Sequence, residues 1–240
     1  MIGCTTESEN DIVPLAGAQE GSNTAENSND VEYEMYSDKF EDINPENDTN
    51  MVVHYPQIKN FRDKNREKVI NKLIEWSAIG GYWTYGSNKG RSLDIDYKVT
   101  LATEQLLSVQ FSGLMYLKGT AHPNKEFYTI NIYLENGEII DVSDFVDFGN
   151  EELLAANVFE FASGSMQPDG EISDVLKEHI GSVHSYYLTP ERLGVAVYVN
   201  FASGGHWEFE ASYDDLKNYV KTYNPSWENP LRALIFETEE

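Results

Sequence analysis

The residues best able to do chemistry in this sequence are scattered along it. Five histidines are present, and no two share the H-x-x-x-H spacing that places two metal ligands on one helix face. They are His54, His122, His179, His184 and His206. The nearest pair, His179 and His184, straddles Gly181, a residue typical of a helix end. We therefore expect no metal site and no cofactor.

Carboxylates give a second possible chemistry. Asp94 and Asp96 are two residues apart on an expected strand, so their side chains share one face. Such a pair suits acid–base catalysis or calcium binding, although an exposed polar face is the commoner explanation. The sequence contains no calcium loop, nucleophile elbow or P-loop. Its one cysteine, Cys4, lies outside the region expected to fold. These observations predict a protein that is not an enzyme.

Aromatic residues beside glycines are the best candidates for ligand binding. One such segment contains Tyr82 and Trp83, and another contains His206 and Trp207. Each either exposes a ring for contact with a sugar or a protein, or packs it into the core. His122 lies in an expected turn, where it either contacts a ligand or fixes the turn backbone. The candidate binding residues are Tyr82, Trp83, His122, Asn124, His206 and Trp207.

The net charge argues against two classes of partner. The 240 residues include 41 acidic and 17 basic side chains, a formal net charge of −24. Residues 1–50 carry 13 acidic and one basic residue (−12), and the remaining 190 carry 28 and 16 (also −12). Nucleic acids and anionic membranes attract basic surfaces, so we expect neither as a partner. A basic or neutral partner is favoured.

The first 50 residues are predicted to be a flexible, acidic leader, because they are polar and lack a sustained apolar period. Within them, apolar and acidic residues alternate over 31–40. This segment either docks on the fold as an arm or stays solvated. Cys4 follows Met-Ile-Gly, which resembles the end of a bacterial lipoprotein signal peptide, although only three residues precede it. This predicts a cell-surface lipoprotein that contacts the membrane only through a lipid on Cys4.

The elements that must position these residues follow from hydrophobic periodicity. A short strand over 52–56 is expected to stop at Pro56, and a helix over 61–79, capped by Asn60, is expected to end at Gly80-Gly81. Asn136-Gly137 predicts a type I′ hairpin. Further strands are predicted at 93–103, 107–117, 127–134, 139–142, 182–188, 193–201 and 206–213, and further helices at 151–162, 172–180 and 213–219.

This order of elements predicts an α+β fold in which antiparallel sheets are each covered by helix on one face. We expect two small, closely associated subdomains at 51–104 and 105–222, and an acidic tail at 223–240.

Four segments, in this order and spacing, resemble a known arrangement. They are HYPQI at 54–58 before the long helix, the GTAHPN turn at 119–124, the hairpin over 187–201 and SYDDL at 212–216. Together they resemble two adjacent extracytoplasmic bacterial domains of unknown function. The pair occurs in the lysozyme-sensing anti-sigma factor RsiV and ahead of the catalytic domain of the peptidoglycan deacetylase PdaC. This chain lacks a sigma-binding part, a membrane helix and a deacetylase domain, and Thr120 replaces a more usual glycine.

The resemblance implies an exported, non-enzymatic binding or sensing module for a cell-wall glycan or a basic protein such as lysozyme. Signalling and deacetylation do not carry over. The alternative is a hydrolase or deacetylase-associated enzyme acting on cell-wall polymers, but no sequence motif supports it.

Overall fold

The computed structural model describes residues 32–83, 88–141, 146, 150–164, 170–179, 183–199 and 205–219, except the side chains of Trp83, Leu154, Ala155, Ser173, Val183 and His184. Cys4, most of the predicted leader and the predicted tail lie outside the described residues. Within the described part, no helix is long and apolar enough to cross a membrane.

Six strands form the first sheet in chain order. They are β1 (Glu34–Asn44), β2 (Thr49–Lys59), β3 (Arg91–Ala102), β4 (Leu106–Leu117), β5 (Asn124–Tyr133) and β6 (Glu138–Ile139). Helix α1 (Lys64–Trp83) joins β2 to β3, which run parallel, whereas all other neighbouring strands are antiparallel. A parallel pair requires such a crossover, because the chain must return to the same end of the sheet.

Helix α1 packs its apolar face on this sheet. Ile70, Ile74 and Ala78 are fully buried, at helical spacing, against a core that includes Ile95 and Phe111. The side chain of Asp63 accepts hydrogen bonds from the next turn at the start of the helix, so the predicted cap at Asn60 is wrong. The predicted end is also wrong, since the helix continues through both glycines to Trp83.

Four antiparallel strands form the second sheet, in the order β7-β10-β9-β8. They are β7 (Glu160–Gly164), β8 (Val183–Leu188), β9 (Arg192–Tyr198) and β10 (His206–Ser212). Three short helices accompany this sheet: α2 (Glu151–Ala155), α3 (Ile172–His179) and α4 (Tyr213–Leu216), the last continued by a 3-10 turn (Lys217–Tyr219). The helix predicted over 151–162 is too long, because Asn157 adopts a left-handed conformation (φ 53°) and the chain then enters β7.

Strands β4 and β5 lie between helix α1 and the second sheet. Residues 106–111 of β4 are buried on both faces, although one covered face was expected. The face away from α1 is polar: the Leu188 N–H donates to Ser108 Oγ (3.0 Å), while Thr129 and Asn131 donate to the Tyr186 carbonyl (2.7 and 2.8 Å). We call this contact the inter-sheet polar layer. Its members are Ser108, Gln110, Thr129, Asn131, Tyr187, His206 and Glu208.

The predicted boundaries of the leader and the first strand are wrong. Strand β1 pairs with β2 along its full eleven residues, so residues 34–50 belong to the fold. Strand β2 runs through Pro56, which is tolerated because only residues 50–53 of β2 pair with β3. The expected subdomain boundary at residue 104 falls inside the first sheet, between β3 and β4.

The hairpin predicted at Asn136-Gly137 is present between β5 and β6. Four residues separate the paired Tyr133 and Glu138, and of the two residues predicted at the centre of the turn, Asn136 and Gly137, only Gly137 has positive φ (71°). The turn is therefore longer than the predicted type I′ turn. With mixed helices and mostly antiparallel sheets, the predicted α+β class is confirmed.

Candidate functional site

An open pocket of about 610 Å³ lies where the end of α1 meets β3, β4 and β5. This volume is in the range of sites that hold small organic ligands. Among the described residues, its lining consists of Ser77, Gly81 and Tyr82 of α1, Arg91 of β3, Met115 of β4, and Glu126 and Tyr128 of β5.

Two tyrosines make the aromatic wall of this pocket. Tyr82 and Tyr128 meet edge to face, with ring centroids 6.4 Å apart and an interplanar angle of 61°. Tyr128 also stacks on the buried Phe111 (5.0 Å, 20°), and its hydroxyl donates to the Ala78 carbonyl (2.7 Å). Burial raises the pKa of both tyrosines, so the wall stays uncharged. These contacts fix the ring of Tyr128 before any ligand arrives.

A carboxyl and a guanidinium border the aromatic wall. The Tyr82 hydroxyl donates to Glu126 Oε2 (3.4 Å), and Arg91 Nη1 donates to the Tyr82 backbone carbonyl (3.1 Å). Burial raises the pKa of Glu126, and the hydrogen bond from Tyr82 and the charge of Arg91 oppose this shift only in part. The pocket therefore offers hydrogen-bonding groups with little excess charge beside an apolar wall.

The pleat of β5 explains why Glu126 and Tyr128 share the pocket. Alternate strand residues point to the same face, so these two side chains face α1 while Phe127 faces the second sheet. Gly113 of β4 pairs with Glu126. A Cβ at Gly113 would overlap the Asp94 carbonyl, so glycine is required for the close approach of β3 and β4 beside the pocket.

The candidates chosen from the sequence do not form one site. Tyr82 lines the pocket, and Trp83 is the last residue of α1, with its side chain outside the described part. His122 and Asn124 are exposed at the tip of the β4–β5 hairpin, where His122 Nδ1 lies 3.3 Å from the Pro123 carbonyl. His206 and Trp207 lie on β10 of the second sheet.

His206 belongs to the inter-sheet polar layer. Its ring stacks on Phe127 (4.3 Å, 24°), and its Nε2 lies 3.3 Å from Glu208 Oε1. Gln110 donates to the other oxygen of Glu208 (3.2 Å). Burial acts to raise the pKa of Glu208, but hydrogen bonds with His206, Tyr187 and Gln110 and the charge of His206 together lower it. This arrangement ties the two sheets together.

Trp207 points the other way from β10 and packs against the core of the second sheet. Its indole meets the His179 ring edge to face (5.7 Å, 85°). Of the two interpretations left open by the sequence, the structure supports core packing for this residue. Asp94 and Asp96 are exposed on β3, and no group of three His, Cys, Asp or Glu side chains suited to a metal occurs among the described residues.

Sequence reasoning missed most of the pocket: Ser77, Arg91, Met115, Glu126 and Tyr128. One signal was present. Glu126 is in phase with the buried face of β5, which includes Ile130 and Ile132, and a carboxylate at an inward position is unusual. Arg91 and Met115 carry no such signal, because the register of β3 and β4 brings them to the pocket.

Comparison with known proteins identifies the fold. A DUF3298 family protein from Bacteroides fragilis has a TM-score of 0.54 at 12% identity, over 86% of this chain and 98% of that chain. The chain is similar in fold to this DUF3298 protein. A DUF3298 family protein from Pseudomonas aeruginosa PAO1 has a TM-score of 0.47 at 14% identity, over 80% of this chain and 95% of that chain. No family model matches the sequence, and no curated protein matches it. DUF3298 is a bacterial domain of unknown function.

Proposed function

We propose that this protein is a non-enzymatic binding module that works outside the cytoplasm and holds a cell-wall glycan in the pocket. The observation that carries the proposal is the aromatic wall of Tyr82 and Tyr128 beside Glu126 and Arg91. A sugar ring has apolar C–H faces that stack on aromatic rings, and an edge of hydroxyls that bind carboxyl and guanidinium groups. The pocket presents both kinds of surface together.

The charge balance of the pocket favours a neutral ligand over a cation. Arg91 lies in the same lining as Glu126, so a cationic group would meet a positive charge there. The raised pKa of Glu126 means that burial already penalises its negative form. A cationic side chain would therefore gain less in this pocket than a sugar would.

The pocket lining supports binding rather than cleavage. Most glycoside hydrolases use two carboxyl groups on opposite sides of the scissile bond. Glu126 is the one carboxyl among the described residues that line the pocket. Catalysis by the usual two-carboxylate route would need a second carboxyl group beside Glu126.

The location follows from the resemblance to the extracytoplasmic domains of RsiV and PdaC. The lipoprotein-like sequence at Cys4 would tether the module to the outer face of the membrane. The fold shared with a DUF3298 protein is compatible with this interpretation.

Binding to insoluble peptidoglycan tests the proposal. The wild-type protein should sediment with it, and Tyr82→Ala should bind about tenfold more weakly, which corresponds to about 1.4 kcal/mol. The matched control is Tyr116→Ala, whose binding should be unchanged. Tyr116 is 38% exposed and follows the pocket-lining Met115 on β4, so its side chain lies on the opposite face of the strand. Equal binding by Tyr82→Ala, or no binding by the wild type, would reject the proposal. Release of soluble fragments would favour the enzyme alternative.

A basic protein such as a lysozyme is the second candidate partner, and the charge distribution favours it. Residues 51–240 have a net charge of −12, and the largely exposed β1 carries Glu34, Asp38, Glu41 and Asp42 against Lys39. Attraction of this kind weakens as salt rises. Binding of lysozyme should therefore fall with salt and should not change in Tyr82→Ala. Salt-independent binding would contradict an electrostatic partner.

A further inference from the structure

Trp76 is an unusually exposed aromatic side chain on helix α1. Trp76 is 64% exposed, the highest value among the large exposed apolar residues that the structure describes. One side of the indole lies against Gly80: a Cβ built there would be 3.2 Å from Nε1 and 3.3 Å from Cδ1 of the ring. Glycine at this position lets the ring lie close to the helix backbone. Most of the residue remains exposed, so the indole forms an aromatic platform supported by Gly80.

The platform lies on the helix face adjacent to the one that lines the pocket. Trp76 immediately precedes Ser77, and Gly80 immediately precedes Gly81, and both Ser77 and Gly81 line the pocket. Successive helical residues are separated by roughly 100° around the axis, and residues four apart form a row. The row of Trp76 and Gly80 is therefore turned roughly 100° around the helix axis from the row that forms the helical wall of the pocket.

We propose that Trp76 is a second sugar subsite, on which the next ring of a glycan stacks after the chain leaves the pocket. The inference rests on the proposed function, and it identifies the ligand as an oligosaccharide of at least two units. An exposed, flat indole suits the apolar face of a pyranose, whose hydroxyls stay in water. Lys72 and Glu75, just before Trp76 in the helix, pair with each other (2.9 Å), so these two opposite charges offset each other beside the platform. This local neutrality fits a neutral glycan.

Calorimetric titration with oligomers of N-acetylglucosamine, from one to five units, tests the inference. The affinity of the wild type should rise with length once a second ring can reach the platform. Trp76→Ala should lose this gain, about tenfold, while its affinity for the single sugar stays unchanged. Trp76→Phe should keep part of the gain because a smaller ring can still stack. The matched control is Val69→Ala, an exposed apolar residue on α1 that should leave every affinity unchanged.

The outcomes separate this inference from the proposed function. If the single sugar binds and Trp76→Ala keeps the wild-type dependence on length, the subsite is rejected and the pocket stands. If Trp76→Ala weakens all lengths equally, the residue acts through the helix and the subsite is again rejected. If no oligomer binds at any length, both proposals fail. Thermal melting of each variant checks that the fold is retained.

Discussion

Two partly buried glutamates, Glu126 in the pocket and Glu208 in the inter-sheet polar layer, have pKa values shifted in opposite directions. Burial acts to raise the pKa of both. Around Glu126 the hydrogen bond from Tyr82 and the charge of Arg91 do not compensate, and its pKa stays above the usual value. Around Glu208 the contacts of His206, Tyr187 and Gln110 do compensate, and its pKa falls below the usual value. The number of partners, more than burial, decides the preferred charge state.

This difference distinguishes a structural site from a binding site. The carboxylate of Glu208 already has its partners within the protein, and it joins the two sheets. Among the described residues, Glu126 has one long hydrogen bond of 3.4 Å and borders an open pocket, so it retains capacity for a ligand. A buried polar group with spare hydrogen-bonding capacity is costly unless something else satisfies it. In the proposed function, the glycan does so.

The largest expected effect comes from removing the carboxylate of the inter-sheet polar layer. Glu208→Ala leaves the buried Gln110 and the partly buried His206 without their carboxylate partner, and we expect a loss of about 3 kcal/mol in the free energy of unfolding. Urea denaturation measures this loss. The control is Glu104→Ala, an exposed glutamate, which should change the stability by less than about 0.5 kcal/mol. A loss no larger than that of the control would show that the layer is not structural.

A glycine in the second sheet should be nearly as sensitive. Tyr187 of β8 lies flat over Gly194 of β9, and a Cβ at Gly194 would overlap its ring. Beyond Gly194, the Tyr187 hydroxyl donates a hydrogen bond to Glu210 Oε1 of β10 (2.9 Å). Gly194→Ala should therefore cost about 2 kcal/mol through overpacking.

A double-mutant cycle checks the cause of this loss. In a Tyr187→Ala background the ring is absent, so Gly194→Ala should have little further effect on the free energy of unfolding. Full additivity of the two changes would contradict the packing of the ring on the glycine.

The two glutamates should also give opposite pH dependence. The folded pKa of Glu208 is below its ordinary value of 4.5, so its stabilisation is present above pH 4.5 and is lost as pH falls through the folded pKa. The folded pKa of Glu126 is above 4.5, so its favourable contribution is present below pH 4.5 and is lost as pH rises through the folded pKa. Glu208→Gln should thus be less stable than the wild type at pH 7, with a deficit that shrinks in acid.

Glu126→Gln should show the reverse pattern, with wild-type stability in acid and greater stability at pH 7. Urea denaturation of both variants and the wild type between pH 3 and pH 8 provides the measurement. Parallel profiles for the two variants would mean that the two glutamates do not differ in their environments as described.

A region could be predicted from the sequence where a local residue pattern determines its structure, and was missed where contacts between distant segments determine it. Alternation of apolar and polar residues predicted β3, β4 and β5 because every second side chain of each strand enters the apolar core beneath α1. Docking of residues 31–40 was only one of two alternatives, and the extent of strand β1 was missed, because its side chains are largely exposed and backbone pairing with β2 holds it in place. Tyr82 was found through its neighbouring glycines. Arg91 reaches the pocket through tertiary register, which a local pattern does not encode.

The smallest effect should come from Gly81 in the pocket, and its sign should be opposite to that of Gly194. Nothing lies within 4 Å of a Cβ built on Gly81, and glycine inside a helix is less favourable than alanine. Gly81→Ala should therefore raise the free energy of unfolding by about 0.7 kcal/mol. Because Gly81 lines the pocket, the added methyl group should also narrow it and weaken peptidoglycan binding. Denaturation and sedimentation with peptidoglycan measure the two effects separately. A variant that loses both stability and binding would contradict a continuous helix at Gly81, whereas a more stable variant with weaker binding would place the ligand against this wall.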